Sequence, residues 1–271
     1  MAQFNPETAQ SPPSREGARQ ALPEALRQNA PIGPRLVGGT SFHDQSGLDL
    51  AQIQVLAQAC LQGLDAARQV VFGWQRQGLS LEDIYLQGIT PCARLLGEWW
   101  CSDRLDFAMT TIAASHLQQL LHDFSAEFLQ ESQQPRLGLS VLLLSEPGAQ
   151  HSMGLFMLSE FFKRAGWNVT LVNPLDMNDF KRNFQADWFD VIGLSLSTER
   201  HLPEIQAALP ELLKDCVNTA LQVFVGGPVA SFAPEKITWT DTHLLKGNAL
   251  QAVESVTQTL FNMERQINVT P

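Results

Sequence analysis

The chain has 271 residues, 44% hydrophobic and 17% charged, with a formal net charge of -10. Such a composition can bury sizeable cores and excludes a wholly disordered chain. The carboxylate excess argues against direct, phosphate-driven nucleic-acid binding, and no dense Lys/Arg run offers a local exception. No segment is long enough to span a bilayer and the N-terminus lacks a signal-peptide apolar core, so a soluble cytoplasmic protein is expected. Cys60, Cys92, Cys101 and Cys216 are scattered, with no Cys-x-x-Cys pair, a pattern that suits buried reduced thiols better than zinc ligands.

Residues 1–36 contain Pro6, Pro12, Pro13, Pro23, Pro31 and Pro34 and sustain no period, which predicts a flexible tail. One short helix is expected near Leu22–Asn29, with Pro23 in its first turn. A disordered leader and a partner-docking arm both suit this segment.

Residues 37–132 turn helical and predict a four- to five-helix bundle, or cap. Leu50, Ile53, Val55, Leu56, Ala59 and Cys60 recur at spacings near three and four, and Ala66, Val70, Val71 and Trp74 do so after Gly63. Ser80 is placed to cap a short helix, and Thr90-Pro91 to open the next, which carries Leu95, Leu96 and Trp99. A long helix is predicted over Asp103–Glu131, with an apolar stripe through Leu105, Met109, Ile112, His116, Leu120, Phe124 and Phe128. His116 on that stripe reads either as a hydrogen-bonded core residue or as a group facing a ligand pocket. Trp99 and Trp100 cannot both face one core, because helix neighbours diverge by about 100°.

A linker over 133–136 leads into residues 137–264, where strand and helix patterns alternate five times; residues 265–271 form a C-terminal tail. The apolar runs begin at Leu137, Asn168, Val191, Leu221 and Thr242. That alternation predicts a flavodoxin-like (βα)5 parallel sheet in the order 2-1-3-4-5. Ligands of such sheets bind outside the carboxyl ends of the strands, where the order reverses. Three segments meet on that rim: Gln150-His151-Ser152-Met153-Gly154 after strand 1, Ser195-Leu196-Ser197 after strand 3, and Gly226-Gly227 after strand 4. Strand 1 is not followed by a Gly-x-Gly-x-x-Gly turn, which counts against a nicotinamide dehydrogenase.

His-x-x-Gly, 40 intervening residues, Ser-x-Ser, 28 more and Gly-Gly resembles the cobalamin-binding signature Asp-x-His-x-x-Gly, Ser-x-Leu, Gly-Gly of the B12-binding superfamily. A helical cap before the sheet is that superfamily's arrangement, as in methionine synthase and the CarH-like light sensors. Closer still, Leu96-Gly97-Glu98-Trp99-Trp100-Cys101-Ser102-Asp103 with Phe107 and Thr110 resembles the cap of the AerR/PpaA photosynthesis regulators, B12-binding antirepressors that act on the CrtJ/PpsR repressor. The resemblance covers about residues 48 to 262 and omits the tail.

It implies His151 as the lower axial ligand of cobalt, with the nucleotide tail of cobalamin beside Ser195, Leu196, Ser197, Gly226 and Gly227. Gly247-Asn248 would border the tail, and Trp99 or Trp100 would cover the upper face of the corrin. The signature's aspartate falls at Ala149, and its leucine at Ser197. In corrinoid enzymes that aspartate orients the histidine and tunes its basicity; a protein that binds and reports has less need of it. Met109 and Thr110 stand where light-sensing adenosylcobalamin repressors carry a Glu-His pair, which leaves water or His116 as the candidate upper ligand. The implied function is a non-enzymatic, light-linked cobalamin-binding antirepressor, without direct DNA binding or membrane association. The alternatives are a corrinoid protein of a methyltransferase system and a haem-binding sensor of the SCHIC type.

Overall fold

The computed structural model describes residues 47–131, 137–149, 152–240 and 242–267. The expected tail with its helix near Leu22–Asn29, the linker, Gln150 and His151 lie outside the described residues.

The N-terminal half is helical. Helix α1 (Leu50–Gln62) begins in a reciprocal cap, in which Asp49 accepts from the Gln52 amide at 2.8 Å and the Gln52 side chain accepts from the Asp49 amide at 2.9 Å. Gly63 turns the chain into α2 (Leu64–Arg76). Ser80 then caps the turn Leu81–Asp83, as the sequence predicts. The expected second start at Thr90-Pro91 is corrected: Leu81–Asp83 runs without a break through a π-helical turn, Ile84–Ile89, into α3 (Thr90–Cys101). Pro91 has no N–H to give to an upstream carbonyl and would crowd it inside a regular α-helix; a widened turn just before it relieves that conflict. Thr90 donates both its amide and its hydroxyl to the Tyr85 carbonyl instead of serving as an N-cap.

The long helix, α4 (Phe107–Gln130), starts later than expected. Asp103 adopts φ 58°, in the left-handed region, which ends α3 there. Asp106 then caps α4 by accepting from the Met109 amide at 2.7 Å. The buried stripe runs through Ala113, Leu117, Leu120, Leu121, Phe124 and Phe128, whereas Met109 and Ile112 are exposed. The predicted stripe therefore holds only for the C-terminal part of the helix, where neighbours exist to cover it.

The sheet has five parallel strands in the order β2-β1-β3-β4-β5, as predicted. They are β1 (Ser140–Ser145), β2 (Asn168–Val172), β3 (Val191–Ser195), β4 (Gln222–Gly226) and β5 (Thr242–Leu244). The connecting helices are α5 (Met153–Arg164), α6 (Met177–Gln185), α7 (Leu202–Lys214) and α8 (Pro228–Phe232), and α9 (Ala249–Ile267) closes the chain, running past the expected end at 264. Among the described residues no helix is long and apolar enough to cross a membrane.

Alternation along the strands sorts the core in two. Leu142, Leu144, Ile192, Leu194, Val223 and Val225 pack with residues of α6 and α7. Val141, Leu143, Val191 and Phe224 join α5, α9 and the helical half in a single cluster. The seam between the halves is α4 along α5. Phe128 stacks on Tyr85 at 4.7 Å and meets Phe161 at 5.0 Å, His122 meets Phe156 at 4.1 Å, and the Thr90 hydroxyl donates to Met157 Sδ at 3.3 Å. Arg164 approaches Glu82 at 3.4 Å and Glu131 at 3.6 Å from the same seam. A buried Phe or Met is worth roughly 2–3 kcal/mol and a partly exposed ion pair about 1 kcal/mol at most. Apolar burial therefore holds the seam.

Candidate functional site

The carboxyl ends of β1, β3 and β4 are in register: Ser145 lies opposite Ser195, and Ser195 opposite Gly226. Each falls an even number of residues beyond a member of the cap-side cluster (Leu143, Val191, Phe224), so all three continue the face turned toward α5 and the helical half. They form a row of small groups at the end of an apolar face. Ser145 is only 2% exposed, and its hydroxyl has no hydrogen-bond partner among the described residues. An orphaned buried hydroxyl costs about 1–3 kcal/mol, the kind of deficit that a polar ligand atom would remove. The sequence reading passed over Ser145; its parity with Leu143 marks it once the strand order is known.

The two glycines after β4 do different work. A Cβ on Gly226 would meet only the Leu245 side chain, at 3.8 Å, so this position leaves room. Gly227 has φ 91°, and a Cβ there would fall 2.7 Å from the Leu196 carbonyl oxygen. Leu196 donates its amide to the Gly226 carbonyl at 3.0 Å and accepts the Val229 amide at 3.0 Å. Gly227 thus admits the neighbouring backbone, while Gly226 opens onto the row. Leu196 is buried in the opposite core, whereas Ser195 and Ser197 are half-buried at the rim. Gly247 also has positive φ, 91°, and leads into α9, where Asn248 and Gln251 cap each other at 3.0 Å in both directions.

The loop after β1 is tied to the end of β3 on both sides of its chain. The Glu146 amide donates to the Ser195 carbonyl at 3.1 Å. The Glu146 carboxylate, 4% exposed, accepts from the Thr198 amide at 3.2 Å and the Thr198 hydroxyl at 3.1 Å. Ala149 donates to the Glu146 carbonyl at 3.1 Å and Gly148 to the Pro174 carbonyl at 2.8 Å. The chain on which His151 stands is therefore launched from a fixed turn. It resumes at Ser152 and Met153, which begins α5 with Gly154 behind it. Beside this turn, toward α6 and α7, a crevice of about 460 Å³ is lined by Pro147, Gly148, Asp176, Arg200 and His201.

Helix α4 reaches the same place from above. The Gln118 amide donates to the Ser152 hydroxyl at 3.5 Å. His116 is two positions earlier, about 200° round the helix, and its Nδ1 bonds the Cys60 carbonyl of α1 at 2.7 Å. The geometry thus supports the hydrogen-bonded core reading of His116 and turns it away from Ser152. Trp99 and Trp100 are both half-buried, but Trp99 packs against the shared core and Trp100 does not. Asp103 closes α3 just behind them, with the Arg104 amide donating to the Trp99 carbonyl at 2.8 Å. Among the described residues no group of three or more His, Cys, Asp or Glu is arranged to hold a metal ion.

A family model described as B12 binding domain matches residues 139–253. An uncharacterized 20.5 kDa protein of the bchF-crtJ intergenic region of Rhodobacter capsulatus is 30% identical over 165 residues, which span 61% of this chain and 85% of that protein. The chain belongs to the B12-binding domain family. Its fold is that of the monomethylamine corrinoid protein of Methanosarcina barkeri, with a TM-score of 0.62 at 11% identity over 75% of this chain and 96% of that one. All three rim segments named from the sequence fall inside the B12-binding match.

Proposed function

We propose that the chain binds cobalamin at the carboxyl edge of the sheet and serves as a non-enzymatic sensor that signals to a protein repressor. The observation that carries the first part is the in-register row Ser145, Ser195 and Gly226, small and polar on the cap-side face, with an unsatisfied buried hydroxyl at its head. In this reading the row, with Ser197 and Gly247, receives the nucleotide tail, and His151 supplies an imidazole nitrogen to cobalt. Glu146 and Thr198 hold the loop that presents it. Cobalamin would supply a cobalt centre and, in its alkyl forms, a bond that visible light breaks. Trp99 or Trp100 and the exposed N-terminal part of α4 would border the group from the helical half.

The regulatory part draws support from the Rhodobacter relative, which comes from the bchF-crtJ intergenic region, and from Ala149, which stands where corrinoid enzymes carry an aspartate. A repressor that binds one arrangement of the α3–α4 end better than another would be switched by population shift. The net charge of -10 favours a protein partner over DNA.

Absorption spectra of the purified chain mixed with aquocobalamin, methylcobalamin, adenosylcobalamin or haemin, dark and illuminated, test this reading. Retained cobalamin with shifted bands, lost in His151→Ala, is the expected result. Methyl turnover with a thiol or folate acceptor would favour the corrinoid-subunit alternative. Haemin retention without cobalamin would replace the cofactor.

A further inference from the structure

A groove of about 680 Å³ runs between α5 and α9 and ends at Glu82. Its floor is Phe161, Leu250 and Val253, and Phe261, 41% exposed, forms one wall. Glu82 and Glu254 stand on its rim, with Arg164 between α5 and Glu82. None of these residues belongs to the cobalamin site proposed above.

We propose that residues 19–29 of this chain dock in that groove, with Leu22–Asn29 as a short helix. Three observations favour this occupant. The first is where the chain enters the described structure: Gly47 lies beside Gln87, since a Cβ there would be 3.4 Å from its Oε1, and Leu48 packs on Gly88. Gln87 belongs to the same continuous helical run as Glu82, five residues on, which is about 7 Å at the α-helical rise. The second is reach. Twenty residues separate Leu26 from Gly47, a span of up to about 65 Å when extended. The third is chemistry. Leu22, Ala25 and Leu26 are spaced to share one helix face, with Pro23 suited to the first turn, Arg27 in the last turn and Arg19 just ahead of the helix. Residues 1–46 contain four arginines and four carboxylates, so the charge of -10 resides wholly in residues 47–271. A second copy of this acidic surface would bring like charge to Glu82 and Glu254, whereas residues 19–29 bring two arginines against one glutamate.

Hydrogen–deuterium exchange on the full chain, wild type against Leu22→Asp/Leu26→Asp, tests the docking. In the wild type, amides of residues 24–29 exchange about tenfold more slowly than the intrinsic rate, and the double variant removes that protection while speeding exchange in residues 254–262. Phe261→Asp, at an exposed position, has the same effect on residues 24–29 without changing the melting temperature. Intrinsic-rate exchange of residues 24–29 in the wild type overturns the proposal. So does a concentration-dependent dimer, seen by sedimentation, that Phe261→Asp dissociates and the tail variant does not, because the groove then belongs to a second copy. Neither result depends on whether cobalamin binds.

Discussion

Ser125 on α4 donates its hydroxyl to the carboxylate of Glu160 on α5, and Glu160 has no solvent exposure at all. Lys163 completes the arrangement at 2.8 Å. A buried charge is tolerated only when its oxygens are bonded, so this pair is a polar clasp within the apolar seam. Ser125→Ala leaves one oxygen with less than it needs and is expected to lower stability by about 1–3 kcal/mol, read from urea unfolding. Lys163→Met should cost at least as much, because it strips the counter-ion from a carboxylate that solvent does not reach and fills the space with an apolar side chain.

Gly226 and Gly227 separate folding from binding. Gly227→Ala places a methyl 2.7 Å from the Leu196 carbonyl oxygen at φ 91°, and a loss of about 2–4 kcal/mol is expected. Gly226→Ala meets nothing closer than 3.8 Å, so its cost to folding should stay under about 1 kcal/mol. If the row is the tail cradle, the same Gly226→Ala chain should retain cobalamin poorly on gel filtration. Full retention would move the tail elsewhere.

Thr198→Val removes the hydroxyl that Glu146 accepts and leaves the Thr198 amide as the bond from that residue. The expected stability loss is about 1–2 kcal/mol. If His151 holds cobalt as proposed, the cobalt band positions of the loaded protein should shift as well, because Glu146 anchors the turn before it. Thr198→Ser, which keeps the hydroxyl, should restore both.

Asp123 on α4 receives Arg68 of α2, whose Nη2 lies 2.7 Å away. Burial works to raise the Asp123 carboxyl, but the bonds from Gln119 and Arg68 outweigh it and hold the group below its usual range. A depressed carboxylate contributes stability that is full above the unfolded value, about 3.9, and is lost as pH falls through the lower folded value. Melting temperatures of the wild type and Arg68→Met should therefore differ at pH 6 and converge toward pH 2. Equal gaps at both pH values would show that Arg68 acts through packing alone.

The cysteines should react in order of exposure. Cys60 and Cys92 are buried, and the Cys92 thiol is pushed up first by its bond to the Cys60 side chain and then by burial. Cys101 is exposed, against the expectation that all four would be buried. An alkylating reagent should modify Cys101 within minutes and leave Cys60 and Cys92 untouched until the chain unfolds.

The sheet was legible because buried parallel strands are near-continuous apolar runs, and five of them separated by helix-length segments leave few topologies. The rim followed from that order, which is why Ser195 and Gly226 could be named from a string of letters. Other features depend on contacts between distant segments. Nothing near Thr90-Pro91 distinguishes a helix start from a widened turn inside a longer run; the deciding contacts, with Tyr85 and Met157, span two elements. Met109 and Ile112 carry a helical period with nothing to cover them. Glu160 looks like an ordinary surface glutamate on an amphipathic helix until Ser125 is found opposite it.

The continuous cluster that joins both halves bears on how this architecture can be cut. A break between residues 131 and 137 would leave Phe128 on one piece and Met157 and Phe161 on the other, each an aromatic or thioether face without its counterpart. Such pieces would be insoluble alone and would recover structure by mutual complementation. The helical half is thus a co-folding partner of the sheet rather than an exchangeable module, and grafting it onto a foreign sheet would require carrying α5 along with it.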